Sequence, residues 1–401
     1  MNVRGIKVAV VGGAVGGASV ALLLARAGAE VTLFERVPKF RAVGAGIGLQ
    51  PNGMAVLRGL GLGDALAEQG CVLDAPRITD PTGRTLLQPT FPDGGQVVML
   101  RRSELQDILR DAIDREPGIA IRMGFEVQGA RPDGAILLDE RWYPYDLVVG
   151  ADGVHSRIRE SLDVGAKVRR TGISYLRGLA DRELAGNEEV WTRSGIFGSF
   201  PVRGGTYWFC SMGTPELRAA VEARDAEALR RIWGETLPRV APLLEEVDSF
   251  DRVLVNEVLR VDCERFVAGR VALLGDAAHA MAPNLGQGAN SALVDAAALL
   301  DELCRADRIE EALERYDARR RPAVRWVQDA AESSGKLSER TGAAFRWMRD
   351  RLLMPLAALG ASSRIARTLQ EHQANEKKYR AQEKEQAAQE AAGAGGAAAP
   401  Q

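Results

Sequence analysis

The sequence predicts an α/β protein: a parallel-sheet unit assembled from separated stretches of chain, with a mixed β-sheet domain threaded between them and helices at the carboxy end. Three observations carry that prediction. An apolar run, a glycine-rich turn and a helix-like segment follow one another between Ile6 and Phe34. A second apolar run ends in a tight turn at 147–153, and a third does so at 271–276. Short apolar runs bounded by turn signals fit buried parallel strands, and open α/β sheets bind their ligands beyond the strand ends.

Ile6 to Val11 is branched and apolar like a central strand, Ser19 to Ala27 reads as helix, and Val31 to Phe34 supplies a second strand. Together they make a βαβ unit of Rossmann-like size. Between strand and helix stands Gly12-Gly13-Ala14-Val15-Gly16-Gly17, a GxGxxG-like turn with Ala14 where the middle glycine usually sits. That glycine lets the backbone approach a pyrophosphate, so a methyl group there either tilts the contact or weakens it. Glu35 follows Gly12 by 35 − 12 = 23 residues and ends the second strand, where an acidic side chain takes ribose hydroxyls. The unit predicts dinucleotide binding, against the plain alternative of a packing turn with a surface Glu.

Next, Arg41 to Met54 reads RAVGAGIGLQPNGM, a glycine-rich loop. The stretch LRRSELQDIL opens a helix at Arg102 or Ser103, with Ser103 as N-cap and Gln106 completing a capping box. A cation is unfavourable at that dipole end, so Arg102 there points to an anionic ligand nearby. Asp146 to Arg159, DLVVGADGVHSRIR, gives a strand at 147–149, a turn around Asp152, and a helix capped by Ser156 whose outer face carries Arg157 and Arg159.

The stretch from Gly269 to Asp295, GRVALLGDAAHAMAPNLGQGANSALVD, places Asp276 just past the strand at 271–274. A carboxylate there can accept hydrogen bonds from sugar-like hydroxyls. Pro283, Gly286, Gly288 and Ala289 then lead into a helix over 291–303, so unpaired N–H groups and a positive dipole end face the same place and would stabilise an anionic ring.

These segments resemble the GxGxxG, DG and GD motifs of the FAD-dependent aromatic hydroxylases, the class A flavoprotein monooxygenases of the para-hydroxybenzoate hydroxylase type. The loop at 41–54 resembles their GAGI-x-L-x-PN loop, Arg177-Gly178 an RG pair common on the first strand of their second domain, and 316–322 the Y-x-x-x-R-x-P helix that closes their catalytic unit. The resemblance implies FAD held by Gly12, Ala14, Val15, Gly17, Glu35, Arg36, Gly46, Ile47, Arg102, Asp152, Asp276, Gly286, Gly288, Ala289 and Asn290, with Pro283 and Tyr207 at the reacting centre. It also implies NADPH or NADH as a transient reductant. Only one GxGxxG-like βαβ occurs, so the nicotinamide would dock on the FAD domain, with Arg157 and Arg159 as phosphate contacts. The implied reaction is hydroxylation of a small aromatic or heteroaromatic substrate by O2 through a flavin C4a-hydroperoxide. Alternatives within the fold are epoxidation, reduction, or a non-catalytic flavin- or ligand-binding protein. A halogenase is disfavoured because no W-x-W-x-I-P segment occurs among six tryptophans.

The scattered motifs divide the chain. Residues 1–75, 98–162 and 263–330 are expected to form the FAD domain, 76–97 and 163–262 the substrate domain, 331–380 carboxy-terminal helices and 381–401 a disordered tail. In the substrate domain strands are expected at 173–180, 196–202, 206–212 and 252–261, a hairpin at Arg203-Gly204-Gly205, and helices at 216–233 and 237–246. Alternation puts Tyr207, Phe209 and Ser211 on one face, Thr206, Trp208, Cys210 and Met212 on the other. Trp208 and Cys210, with Ile196 opposite, are the candidate substrate residues, and a core role for each stays open. A helix over 345–359 covers the core or a subunit interface.

The 401 residues suit two domains or one large α/β unit, and a net charge of −2 offers no basic stripe for nucleic acid. Four cysteines lie too far apart for a disulfide framework or metal-ligand spacing, which fits a reduced, cytoplasmic protein with no metal. Neither a targeting segment nor membrane contact is expected, and both a monomer and a homodimer fit. Of three histidines, His155 and His279 lie inside motifs and His372 in the tail, which leaves no dedicated substrate base. Tyr207 or Tyr175 is the expected relay, unless the substrate binds already ionised.

Overall fold

The computed structural model describes residues 3–39, 45–74, 76–89, 91, 95–184, 186–340 and 342–354. The expected features at Arg41 to Gly44, at 92–94, in the later part of the 345–359 helix and in the tail, with His372, lie outside the described residues.

A six-stranded sheet carries the nucleotide motifs. Lys7–Val11 is central and pairs in parallel with Glu30–Glu35 on one side and Leu147–Gly150 on the other. Val271–Leu273 extends the sheet beyond Leu147–Gly150, and Ile119–Met123 extends it beyond Glu30–Glu35, both in parallel register. Val8 to Val11 is buried on both faces, which is why the strand reads as a continuous apolar run without alternation. The helix Val15–Arg26 packs between this sheet and the helix Gly288–Arg305, with every residue buried but Arg26. Its approach is so close that a Cβ at Gly17 would fall 1.8 Å from the Gly12 carbonyl oxygen, and Gly12 itself turns at φ +101°.

The second sheet has seven strands in the order Leu254–Asp262, Lys167–Ala180, Gly205–Ser211, Ile196–Val202, Glu188–Trp191, Arg77–Thr79 and Thr85–Leu87. Its two last strands come from chain far upstream of the rest. One face packs on the helices Pro215–Glu222, Ala226–Thr236 and Ala241–Leu244, where Leu176, Phe197, Trp208 and Cys210 meet Leu217, Leu229, Trp233 and Leu243. The other face turns Tyr175, Phe200, Tyr207 and Phe209 toward the nucleotide motifs. Among the described residues no helix is long and apolar enough to cross a membrane.

Several local expectations change. The helix expected over 216–233 is two, broken at Arg224 with φ +53°, where Asp225 caps the second by accepting from the Ala228 N–H at 2.9 Å. The one expected over 237–246 divides into the 3-10 turn Pro238–Val240 and the short Ala241–Leu244. The Ser103/Gln106 capping box does not form. Arg101 precedes the helix Arg102–Asp114 and its N–H donates to the Glu104 carboxylate at 2.9 Å, while Gln106 donates across to the Gly13 carbonyl at 2.9 Å. The helix from Ile309 runs on to Glu339, through Pro322.

Candidate active site

The amino-terminal turn is closed by its own acid. Glu35 accepts from the Gly13 N–H at 2.8 Å and from the Val37 N–H at 3.1 Å, so the carboxylate expected at ribose hydroxyls also ties two backbone segments together. Ala14 is exposed at φ −75°, ψ −174°, a conformation any L-residue adopts, and as N-cap it leaves the helix without a side-chain cap. The turn therefore does not need a glycine there. Val15 and Gly17 are buried, Gly12 half-buried and Arg36 exposed.

At the second motif Asp152 accepts from Ser156 Oγ at 2.5 Å and from the Ile158 N–H at 3.2 Å, and burial pushes its carboxyl above the usual range. Ser156 caps the helix Arg157–Glu160 as expected. Arg159 is a correction. Its buried guanidinium donates to the carbonyls of Ala277 at 2.9 Å and Val154 at 2.8 Å, strapping this turn to the third motif and leaving nothing to offer a nicotinamide phosphate. Arg157 is exposed beside Glu160 at 3.3 Å.

The third motif turns at Gly275, with φ +58°, and presents exposed Asp276 at the start of Asp276–His279. Behind it lies Asp295, fully buried, which accepts from the Gly275 N–H at 3.1 Å, contacts His279 Nε2 at 2.5 Å and accepts from Arg320 Nε at 2.7 Å. Burial opposes the Asp295 charge, but His279 and Arg320 outweigh it and hold the carboxyl well below the usual range. Tyr316 donates to the Leu273 carbonyl at 3.0 Å. Tyr316 and Arg320 of the last motif thus brace the strand end that presents Asp276.

The helix Gly288–Arg305 begins after Gly286, φ +62°, with no side-chain cap. Asn290 has a structural part as well. Its amide oxygen accepts from the Gln50 N–H at 2.9 Å and its nitrogen donates to Gly48 at 3.0 Å and Gly286 at 2.7 Å, so its side chain locks the Gly46–Leu49 strand to the helix start, and its backbone N–H lies in the uncapped first turn. Gly46 is pressed against the second sheet: a Cβ there would lie 2.3 Å from the Tyr207 ring. Ile47 is half-buried on the same strand.

Four side chains from different segments converge in front of these turns. Arg102 is exposed, yet protein surrounds it closely enough that desolvation lowers its pKa, against the field of Asp276; Arg177 adds to the lowering and Tyr207 opposes it. The cation is exposed and yet partly desolvated, with Asp276, Arg177 and Tyr207 close by. Nearby, Asn52 Oδ1 and Asn284 Oδ1 are buried acceptors without a donor among the described residues. Uncapped helix N–H groups, a carboxylate, a cation and orphaned acceptors complement a ligand with hydroxyls, ring N–H and anionic groups, as a flavin dinucleotide has.

Residues 5–331 match the family described as FAD binding domain. The chain belongs to the FAD-dependent aromatic hydroxylases. It is 32% identical over 384 residues to an aurachin C monooxygenase/isomerase of Stigmatella aurantiaca, covering 91% of this chain and 98% of the relative. It is 35% identical over 352 residues to a 3-amino-4-hydroxybenzoate 2-monooxygenase of Streptomyces cremeus, covering 82% and 86%. Among solved structures it is similar to Klebsiella pneumoniae HpxO complexed with FAD and uric acid, at 25% identity, TM-score 0.74 and coverage of 90% and 96%.

On the sheet facing the family's motifs, the expected pocket side is reversed. Trp208 and Cys210 are fully buried against Trp233 and Leu229, because three helices cover that face. Tyr207 and Phe209 hold the other face, with Ile196 also there beside Trp191 and Leu86. Pro283 opens the 3-10 turn Pro283–Leu285, from which Asn284 donates to the Tyr175 hydroxyl at 2.6 Å. Burial pushes the pKa of both Tyr175 and Tyr207 up, so each stands as a neutral hydroxyl that can donate and accept. His279 is buried, with its Nε2 held by Asp295. Sequence reasoning missed Asn284 and Glu189 on this face; an Asn beside a Pro and a Glu within GNEEVW both read as surface.

Proposed function

We propose that the protein is an FAD-dependent monooxygenase that uses NADPH or NADH and O2 to hydroxylate a small aromatic or heteroaromatic ring. The observation that carries this reading is the convergence of Asp276, Arg177 and Tyr207 on a desolvated Arg102, with the Pro283 turn and the uncapped start of Gly288–Arg305 following Asp276 in the chain. Bound FAD would supply hydride acceptance and oxygen activation, and the protein would supply placement and field.

Within that division Asp276 takes ribityl hydroxyls, Arg102 meets the anionic part of the cofactor, and the backbone N–H groups of Gly288 and Ala289 stabilise negative charge on the ring. Gly12, Ala14, Val15 and Gly17 admit the pyrophosphate to the first helix, Glu35 and Arg36 flank the adenosine half, and Gly46, Ile47, Asp152 and Gly286 shape the walls with main-chain groups. The Tyr175–Asn284 pair and the aromatic face of Phe200, Tyr207 and Phe209 keep bulk water from the reacting ring. Arg157 remains the cation available to a nicotinamide phosphate. The relatives' names, which speak of hydroxybenzoate and urate oxygenation, support a hydroxyl- or N–H-bearing ring as substrate.

The test is a screen of phenols, hydroxyquinolines, hydroxypyridines and purines on purified yellow protein for stimulated NAD(P)H oxidation, with one added oxygen confirmed by mass. Oxygenated product supports the reading. Yellow protein that yields no oxygenated product with any class would favour a non-catalytic flavin-binding protein.

A further inference from the structure

Four neighbouring strands of the seven-stranded sheet set Arg177, Phe209, Gly198 and Glu189 in one row on the face toward the flavin motifs. At ~4.8 Å between strands, the Arg177 and Glu189 backbones stand roughly 14 Å apart along the row. Gly198 makes the middle of the row aromatic: a Cβ there would fall 2.3 Å from the Phe209 ring, so the ring lies over the glycine. The row therefore runs from a cation near Arg102, across an aromatic middle, to a carboxylate.

Glu189 has the features of a group that waits for a ligand. It is half-buried, and Oε1 accepts from Trp191 Nε1 at 2.6 Å, its one hydrogen bond among the described residues. No described Lys or Arg pairs with it, although carboxylates removed from water are ordinarily paired. Burial pushes its carboxyl up to about 7, against the Trp191 hydrogen bond. The charged and titratable groups around it come from several elements. Tyr175 and Arg177 stand on Lys167–Ala180, and the Glu189 charge raises the Tyr175 pKa, as does Glu339 from the end of Ile309–Glu339. Arg349 lies over the Trp191 ring at 4.8 Å, with its Nε donating to Asp350 at 2.6 Å.

We propose that Glu189 is the hydrogen-bond acceptor and base for the substrate, taking a ring N–H or O–H proton from an aromatic compound that lies over Phe209 and Gly198. This rests on the monooxygenase reading above. The proton moves from the ring nitrogen or oxygen to a Glu189 oxygen, and the electron pair left behind delocalises into the ring, which makes its carbon more nucleophilic toward the incoming oxygen. The proton returns to the product or to water when the product leaves, so Glu189 is unchanged over the cycle. A base poised near neutral pH is the efficient case.

The probe is quinolin-4(1H)-one, a fused ring with an N–H donor that stays neutral from about pH 5.5 to about pH 8.5, the range in which Glu189 titrates. Its affinity for the FAD-loaded protein is measured by calorimetry across that range. Expected is a rise of about tenfold or more as pH passes 7, since the carboxylate is the better acceptor. In Glu189→Gln the rise disappears and binding at the alkaline end weakens about tenfold, whereas Glu189→Asp keeps a pH-linked rise. Both variants hold FAD at the wild-type ratio. An unchanged pH profile in Glu189→Gln, no binding by wild type, or loss of FAD from either variant would overturn the proposal. The two readings fail separately. The expected linkage without oxygenated product from any ring class leaves the base and removes the monooxygenase. Oxygenated product without a Glu189-dependent profile does the reverse.

Discussion

His279 Nε2 lies 2.5 Å from Asp295 Oδ2 in full burial, and this contact, with no role for a substrate proton, sets the turn that presents Asp276. Replacing Asp295 by Asn leaves Arg320 and the Gly275 N–H with half their partner. The expected loss is about 3–5 kcal/mol, the usual cost of stranding a buried ion. Because the folded pKa is depressed below the unfolded value of about 3.9, the stabilisation is complete above that value and fades as pH falls through the folded one. Urea unfolding of wild type and Asp295→Asn should differ most near neutrality and converge in strong acid. An equal gap at both would remove the electrostatic account.

Asp276→Ala tests the ribityl assignment. Asp276 is exposed and its side chain makes no hydrogen bond among the described residues, so the variant should fold while holding FAD about tenfold or more weakly, with turnover falling in parallel. The ratio of visible to ultraviolet absorbance after gel filtration reads the flavin content directly. Full flavin and normal turnover would place the ribityl chain elsewhere.

Gly46→Ala should act on the site without unfolding the chain. The new Cβ must displace the Tyr207 ring, 2.3 Å away, and overpacking of this kind costs ~1–3 kcal/mol. FAD affinity is expected to fall by more than thermal stability does. Trp208→Ala is the control from the opposite face: it opens a cavity against Trp233 and should cost about 3–5 kcal/mol while FAD affinity of the folded fraction is retained.

Arg157 and Arg159 separate in the same way. Arg159→Ala removes two buried hydrogen bonds and is expected to lower stability by about 2–4 kcal/mol, seen as an earlier urea midpoint. Arg157→Ala should leave the midpoint in place and raise the KM for NADPH or NADH several-fold. An unaltered KM for both would leave the nicotinamide without a cation on this helix.

How much of this was legible depends on which physical constraint each residue obeys. The parallel strands at Lys7–Val11, Leu147–Gly150 and Val271–Leu273 could be read because burial on both faces forces an unbroken apolar run. The turns after them could be read because Gly12 and Gly275 adopt positive φ that other residues avoid. The pocket face could not. Period-two alternation separates Tyr207 and Phe209 from Trp208 and Cys210, but which set meets solvent or cofactor is decided by helices at 215–244, whose docking is a tertiary fact. Glu189 escaped for a related reason: a glutamate in a polar stretch reads as surface until Gly198 and Phe209 are seen beside it. Arg159 and Asn290 read as ligand contacts within their motifs, yet their side chains also meet the Ala277 and Gly48 carbonyls, which only the folded chain brings near.

The parallel sheet also dictates a schedule. Lys7–Val11 waits for a neighbour at Leu147–Gly150, and that strand waits in turn for Val271–Leu273. At a synthesis rate of 5–20 residues per second, reaching the third strand takes on the order of 15–50 s. Until then the nascent chain has two glycine-rich turns without the wall that Asp276 occupies. A site built from all three turns is therefore completed late in synthesis, and a full-length chain that lacks flavin should be cut more readily by proteases than the loaded one.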